Sequence, residues 1–292
     1  MPKSITPPVF RFAPSPNGLL HLGHAYSALL NYEAAKAMGG RFLLRIEDTD
    51  ITRARPEFEQ AIFDDLHWLG IEWEEPARRQ SDHFGDYKPA LGKLEAEGLN
   101  YRSYLTRSDI KRIVEAHEAK GSAWPRDPDG APHFPGRHYE EQATIDDSSY
   151  TIRLDIGACL KKVNRDISWR EASDRGFTDI TEVAAEPQNW SDIILVRRDA
   201  PASYNLAVVI DDAVQGVTHV VRGEDIYAAT SIHRLLQELL GLPQPLYHHH
   251  RLICDEEGRK LSKSQHDTSL ASLRESGLTA ANIKERLGFK KG

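Results

Sequence analysis

The chain predicts an α/β fold in which a parallel sheet carries its ligand site at the strand ends, and three observations lead there. A short apolar strand runs through a turn-rich segment into a helix. A second strand then ends in a cluster of acids. With 292 residues, 40% of them apolar, the chain is long enough to bury a substantial core. Ligands bind outside the carboxyl ends of strands in open α/β sheets, so the turn after the first strand and the acids after the second mark the place to look.

The elements follow in order. Val9 to Phe12 reads as a strand, Ala13-Pro14-Ser15-Pro16-Asn17-Gly18 as a tight loop, and Gly23 to Met38 as a helix that Gly39-Gly40 ends. Arg41 to Ile46 is a buried strand, and Glu47-Asp48-Thr49-Asp50 follows it. Phe58, Ile62, Leu66 and Leu69 recur at helical spacing, with Pro56 in the first turn and Gly70 at the stop. Further helices are expected over Tyr87 to Glu97 and from about Ser108, whose hydroxyl can cap ahead of Asp109. Four prolines and three glycines between Gly121 and Gly136 exclude regular structure there. Tyr150 to Leu154, Ile193 to Arg197 and Leu206 to Ile210 read as strands, Ser231 to Leu240 as a helix, and Leu252-Ile253 as a strand just after the run His248-His249-His250.

Composition narrows the function classes. Cys159 and Cys254 are the only cysteines, too few for a disulfide framework or a thiolate metal site. A formal charge of −7 offers no overall attraction for nucleic acid, so RNA contact has to rest on a local basic face. No apolar run approaches the roughly 20 residues that cross a bilayer, and Met1 to Pro8 lacks an apolar signal region; a soluble cytoplasmic protein without membrane contact is expected.

Two constellations carry chemistry. In Arg11 to His24, a strand, a loop and a helix start place His21 and His24 three residues apart beside the positive end of a helix dipole, which suits a triphosphate; Gly23 between them permits close approach to the backbone. Singly, the two histidines are ordinary helix-start residues. The second constellation changes that weighting: Asp255 to Ser264 is a glycine-containing loop ending in Lys260 and Lys263, able to close over phosphates.

Together the segments resemble the two signatures of class I aminoacyl-tRNA synthetases, His21-Leu22-Gly23-His24 and Lys260-Leu261-Ser262-Lys263-Ser264. Arg11 to Gly18, Arg45 to Asp50, Tyr204 to Asp212 and Gly216 to Asp225 narrow the resemblance to the glutamyl branch, over residues 9 to about 265. In length the chain resembles that branch's short paralogues, which modify queuosine in tRNA(Asp), since only Gln265 to Gly292 follow the second signature and no anticodon-binding domains are expected.

The resemblance implies a Rossmann-like parallel-sheet catalytic domain with an inserted α/β subdomain and a short helical C-terminal segment. Its first half would cover residues 1–100, the insertion 101–200, the second half 201–250 and the lysine loop with its tail 251–292. It implies that Arg11, Phe12, Ala13, Pro14, Ser15, Glu47, Tyr204 and Arg222 hold glutamate, with Glu47 on the ammonium and the planar fork of Arg222 on a carboxylate. His21, Gly23, His24 and Lys263 would hold ATP with its Mg2+, and His21, His24, Lys260 and Lys263 would be the catalytic set. The partners would be L-glutamate, ATP and queuosine-bearing tRNA(Asp), the enzyme a monomeric ligase. A zinc site opening with Cys-x-Cys is frequent among the short paralogues, yet Ser103 and Leu105 stand at those positions here, so no zinc is expected. The alternatives are a synthetase core charging the 3′ end of tRNA(Glu) and a catalytically silent tRNA-binding paralogue.

Overall fold

The computed structural model describes residues 6–143, 149–254 and 268–289. Strand β1 (Val9–Phe12) is buried along its whole length and leads through the loop to α1 (Leu22–Ala37). The chain then turns back sharply: a Cβ on Gly40 would lie 2.4 Å from the Pro8 carbonyl, so only glycine lets β2 (Arg41–Ile46) start beside β1. Helix α2 (Pro56–Trp68) buries Ile62 and Leu66 and opens on Pro56. Strand β3 (Glu74–Arg79) pairs parallel to β2, as β2 does to β1, with Phe10 opposite Phe42 and Phe12 opposite Leu44.

Helix α3 (Lys88–Ala96) leads into β4 (Asn100–Ser103), α4 (Arg107–Glu118) and an irregular stretch that contains the proline-rich segment. Then come β5 (Thr151–Leu154), α5 (Ile156–Val163), the hairpin of β6 (Ser168–Ala172) and β7 (Ile180–Ala184), and β8 (Ile194–Val196). Strands β4, β5 and β8 form a separate antiparallel sheet. The chain continues through α6 (Tyr204–Val214), β9 (His219–Gly223), α7 (Thr230–Leu240), β10 (Leu246–His250), α8 (Leu270–Glu275) and α9 (Ala280–Arg286).

The second large sheet runs β7-β6-β10-β9, parallel from β6 to β9. Thr218 joins it to β1: its N–H donates to the Val9 carbonyl at 3.0 Å, and its hydroxyl accepts from the Val9 N–H at 2.8 Å. The parallel strands thus come from two separated stretches of sequence, and their carboxyl ends converge. No helix among the described residues is long and apolar enough to cross a membrane.

Three readings of the sequence need correction. Leu206 to Ile210 is the middle of helix α6, where every residue from Leu206 to Asp212 is buried. A short apolar run buried on all sides has no polar stripe, so periodicity cannot separate helix from strand there. The histidine run is itself in β10, and Leu252-Ile253 is irregular. Helix α4 is capped by Thr106, whose hydroxyl accepts from the Asp109 N–H while the Asp109 carboxylate accepts from the Thr106 N–H.

That reciprocal cap gives a prediction. Thr106→Ala removes an N-cap and should cost about 1 kcal/mol, whereas Ser108→Ala, already inside the helix, should cost far less. Hydrogen exchange of the α4 amides measures both, and equal protection losses would contradict the assignment.

Candidate active site

A cavity of about 520 Å³ opens where β1, β2, β9 and β10 end, beside the N-termini of α1 and α6. It is lined by Arg11, Phe12, Ala13, Pro14, Ser15, His21, Gly23, His24, Glu47, Tyr204 and Arg222, so all the singled-out residues within the described regions meet in one place. Lys260 and Lys263 lie outside the described residues. The chain on either side of them does reach this place: Leu252 and Ile253 line the cavity, and Ser269 bridges His21.

His21 is the N-cap of α1, an unusual residue for that position. Its Nδ1 accepts the Gly23 N–H at 3.1 Å, and Nδ1 of His24 accepts the His21 N–H at 3.2 Å, so the imidazoles build a capping box between them. A neutral imidazole accepting at Nδ1 carries its proton on Nε2, so both rings are set as Nε2–H donors. Gly23 has a second reason to be glycine beyond ligand approach: a Cβ there would lie 3.0 Å from Cε1 of His21.

Beneath the cavity lies a buried charge network. Asp212 on α6 accepts from Arg11 Nε at 3.0 Å and from Arg45 Nη1 at 2.7 Å, and Arg45 Nη2 reaches Glu47 at 3.0 Å. Burial opposes ionisation of Asp212, but Arg11 and Arg45 outweigh it and hold the carboxyl below its ordinary range. Glu47 goes the other way: burial raises it, and Arg45 offsets this only in part. A ligand ammonium beside Glu47 would relieve that cost.

Arg222 on β9 has a different setting. Its Nε donates to His249 Nε2 at 3.0 Å, Nη1 to His233 Nδ1 at 3.0 Å and Nη2 to Thr230 Oγ1 at 2.8 Å, with the Tyr204 hydroxyl 3.4 Å from Nη1. Burial and the neighbouring guanidinium push His233 well below its usual value, and His249 falls to about 4. Every group touching this guanidinium is therefore neutral at pH 7. Arg11 and Arg45 share Asp212, and Arg45 also has Glu47, whereas among the described residues no carboxylate contacts Arg222, which lines the cavity.

Sequence reasoning missed Arg45 and Asp212, and also His233 and His249, which hold Arg222. A signal for Asp212 was available, since adjacent acids at the end of an apolar run need cations if the run is buried. Asp48 and Asp50 are accounted for structurally: Asp48 accepts from the N–H and the hydroxyl of Ser81 at 2.8 and 2.6 Å, and Asp50 pairs with Arg197 at 3.3 Å.

Asp212→Ala strands two buried guanidinium groups and should cost roughly 3–5 kcal/mol of stability at pH 7. Because the folded carboxyl is held below its unfolded value of about 3.9, this contribution is present above that value and is lost as pH falls through the lower folded one. The stability gap between wild type and variant, measured by denaturant unfolding, should therefore close below about pH 4; a gap constant down to pH 2 would contradict the network.

Comparison with known proteins gives the family. The family model described as "tRNA synthetases class I (E and Q), catalytic domain" matches residues 9–287. The glutamyl-Q tRNA(Asp) synthetase of Rhodobacter capsulatus is 43% identical over 291 residues, covering 96% of this chain and 100% of that protein. A glutamate–tRNA ligase of Prochlorococcus marinus is 37% identical over 301 residues, but the match spans 58% of its length. Among solved structures, a glutamate tRNA ligase from Elizabethkingia meningosepticum in complex with its amino acid superposes with a TM-score of 0.73 at 28% identity, over 96% of this chain and 60% of that one. A Mycobacterium tuberculosis methionyl-tRNA synthetase shares the fold, with a TM-score of 0.59 at 13% identity. Parallel strands drawn from two separated stretches of sequence, the paired histidines at the head of α1 and the family match over nearly the whole chain lead to one conclusion: this chain belongs to the class I glutamyl- and glutaminyl-tRNA synthetase family, whose catalytic-domain model covers residues 9–287.

Proposed function

We propose that the protein activates L-glutamate with ATP and transfers the glutamyl group to queuosine in the anticodon of tRNA(Asp). The observation that carries the amino-acid half is the unneutralised Arg222 facing a cavity that also holds Glu47. A guanidinium fork and a carboxylate on one cavity suit an α-amino dicarboxylate, one taking a carboxylate and the other the ammonium. Arg11, Phe12, Ala13, Pro14, Ser15 and Tyr204 shape the rest of that pocket.

For the reaction, a glutamate carboxylate oxygen attacks the α-phosphorus of ATP, the bond from that phosphorus to the bridging oxygen of the β-phosphate breaks, and pyrophosphate leaves; Mg2+ arriving with the nucleotide would neutralise phosphate charge. His21 and His24 present Nε2–H donors to the phosphates beside the N-terminus of α1, and Gly23 leaves the backbone open to them. Lys260 and Lys263 act on the charge that develops in the transition state; in support, the described chain on both sides of them borders the cavity. Zinc has no part in this reading. Leu105 packs with Ile113 and Phe134, and Ser103, fully buried, offers one hydroxyl where a thiolate pair would be needed.

The acceptor half is supported by the full-length match to a glutamyl-Q tRNA(Asp) synthetase. An unpaired anticodon base can be splayed into a catalytic pocket, and the cyclopentenediol of queuosine offers a hydroxyl nucleophile like that of a ribose. In the second step that hydroxyl oxygen attacks the adenylate carbonyl, the ester forms and AMP leaves. The separate antiparallel sheet of β4, β5 and β8, within the expected insertion of residues 101–200, would then meet the RNA beside the site, while β6 and β7 of that range belong to the sheet of β9 and β10.

Arg222→Lys exchanges a planar fork for a point charge and should cost about 2 kcal/mol or more in kcat/KM for glutamate, read by ATP–pyrophosphate exchange. Unaltered constants would place Arg222 outside glutamate recognition. The acceptor is tested by supplying labelled glutamate with tRNA(Asp) that carries or lacks queuosine. Label is expected only on the queuosine-bearing tRNA, and prior periodate oxidation of its cis-diol should abolish it. Label on the terminal adenosine would instead identify a glutamyl-tRNA synthetase core.

A further inference from the structure

We propose that Glu171 and His249 are positioning residues for Arg222: a carboxylate–imidazole relay across three adjacent parallel strands that fixes the orientation of the guanidinium and thereby sets the affinity for the substrate carboxylate. The inference rests on the reading of Arg222 given under Proposed function and assigns roles to two residues that do not touch the substrate.

Sheet register creates the arrangement. His249 on β10 is the Cα partner of Arg222 on β9, and Tyr247, two residues earlier on the same face, is the partner of Glu171 on β6. The three side chains therefore lie in a row on one face of the sheet. Both oxygens of Glu171 lie 3.0 Å from His249 Nδ1, and Arg222 Nε lies 3.0 Å from His249 Nε2.

The chemistry of the end groups leaves one proton placement. An ionised carboxylate only accepts and a guanidinium N–H only donates, so Nδ1 carries the proton and Nε2 offers its lone pair. The opposite tautomer would set an N–H against the N–H of Arg222 and an unprotonated nitrogen against a carboxylate. Glu171 is fixed in turn by the His249 backbone N–H at 2.8 Å and the Trp169 indole N–H at 3.0 Å. Burial raises this carboxyl, but the bonds from His249 outweigh it and keep it ionised. The groups facing His249 are Arg222 from β9, Glu171 from β6, His248 and Tyr247 from its own strand, Tyr227 ahead of α7 and Thr230 at the start of α7. The single acid among them is bound to Nδ1, and the imidazole stays neutral through the physiological range.

A merely structural Glu171 would tie β6 to β10 without reporting on glutamate. The relay makes a narrower statement: Glu171→Gln removes the charge and turns an amide N–H toward Trp169 Nε1–H or His249 Nδ1–H, the tautomer preference is lost, and Arg222 loses one charge-assisted bond.

The test combines steady-state kinetics with histidine-nitrogen NMR of the intact protein. Glu171→Gln should raise KM for glutamate about tenfold, the worth of one charge-assisted hydrogen bond, with KM for ATP unchanged. The same change in a His249→Leu background should raise it little further, because the relay is already cut. In labelled wild type, the ring signal missing from His249→Leu should show the Nδ1–H tautomer from pH 6 to 8. Additive effects, a parallel rise in KM for ATP, or an Nε2–H or doubly protonated His249 in wild type would each overturn the proposal. If calorimetry shows that wild type binds no glutamate, the reading of Arg222 fails, and the tautomer measurement still decides whether the relay exists.

Discussion

Everything about this site depends on two adjacent aspartates at the buried end of α6. Asp212 takes Arg11 from β1 and Arg45 from β2, while Asp211 takes Arg78 from β3 together with Gln80 and the Tyr87 hydroxyl. One helical turn thus cross-links three successive parallel strands to the second half of the chain. Neither acid nor base in such a cluster has a cheap alternative, because each removed partner leaves a desolvated charge behind. The consequence is geometric: the strand ends bordering the cavity are held in register by groups that tolerate little displacement.

That constraint also divides the arginines by task. Arg45 is fully buried and, although burial disfavours its charge, Asp212 and Glu47 more than compensate, so it is a fixed cation that serves the fold. Arg11 is shared: it lines the cavity and is bound to Asp212. Arg222 is buried among imidazoles and hydroxyls, and among the described residues no carboxylate contacts it. A desolvated cation held by neutral acceptors is costly until an anion arrives, so it would attract a carboxylate ligand. On the proposed reading, selection of an acidic amino acid rests on which arginine is left without an acid.

Much of this was legible in the sequence, and the illegible part has a common cause. His21, His24, Glu47, Tyr204 and Arg222 stood in segments whose local pattern is distinctive, and the structure brings them to one cavity. Helix α6 was misread because its buried apolar run has neither polar stripe nor alternation. That error hid the aspartates, since on a strand Asp211 and Asp212 would point to opposite faces, whereas on a helix both reach the sheet. His249 was hidden differently. Within a run of identical residues nothing local distinguishes the central one, and its partner Glu171 is 78 residues away; only strand register makes them neighbours.

The head of α1 shows how fold and chemistry are joined at this site. Helix starts are commonly capped by a hydroxyl or carboxylate, and a carboxylate there would repel a phosphate chain. Here the cap is made of two imidazoles, which satisfy the backbone donors through Nδ1 and keep an N–H on the opposite nitrogen. One pair of side chains thus closes the helix end and, unlike a carboxylate cap, places no negative charge beside the cavity. The spacing of three residues is set by the capping box itself, because only the residue three positions on can reach back to the cap's own N–H. The signature read from the sequence as a nucleotide-binding motif is therefore first a requirement of helix geometry, and Gly23 completes it because the His21 ring occupies the place where a side chain would stand.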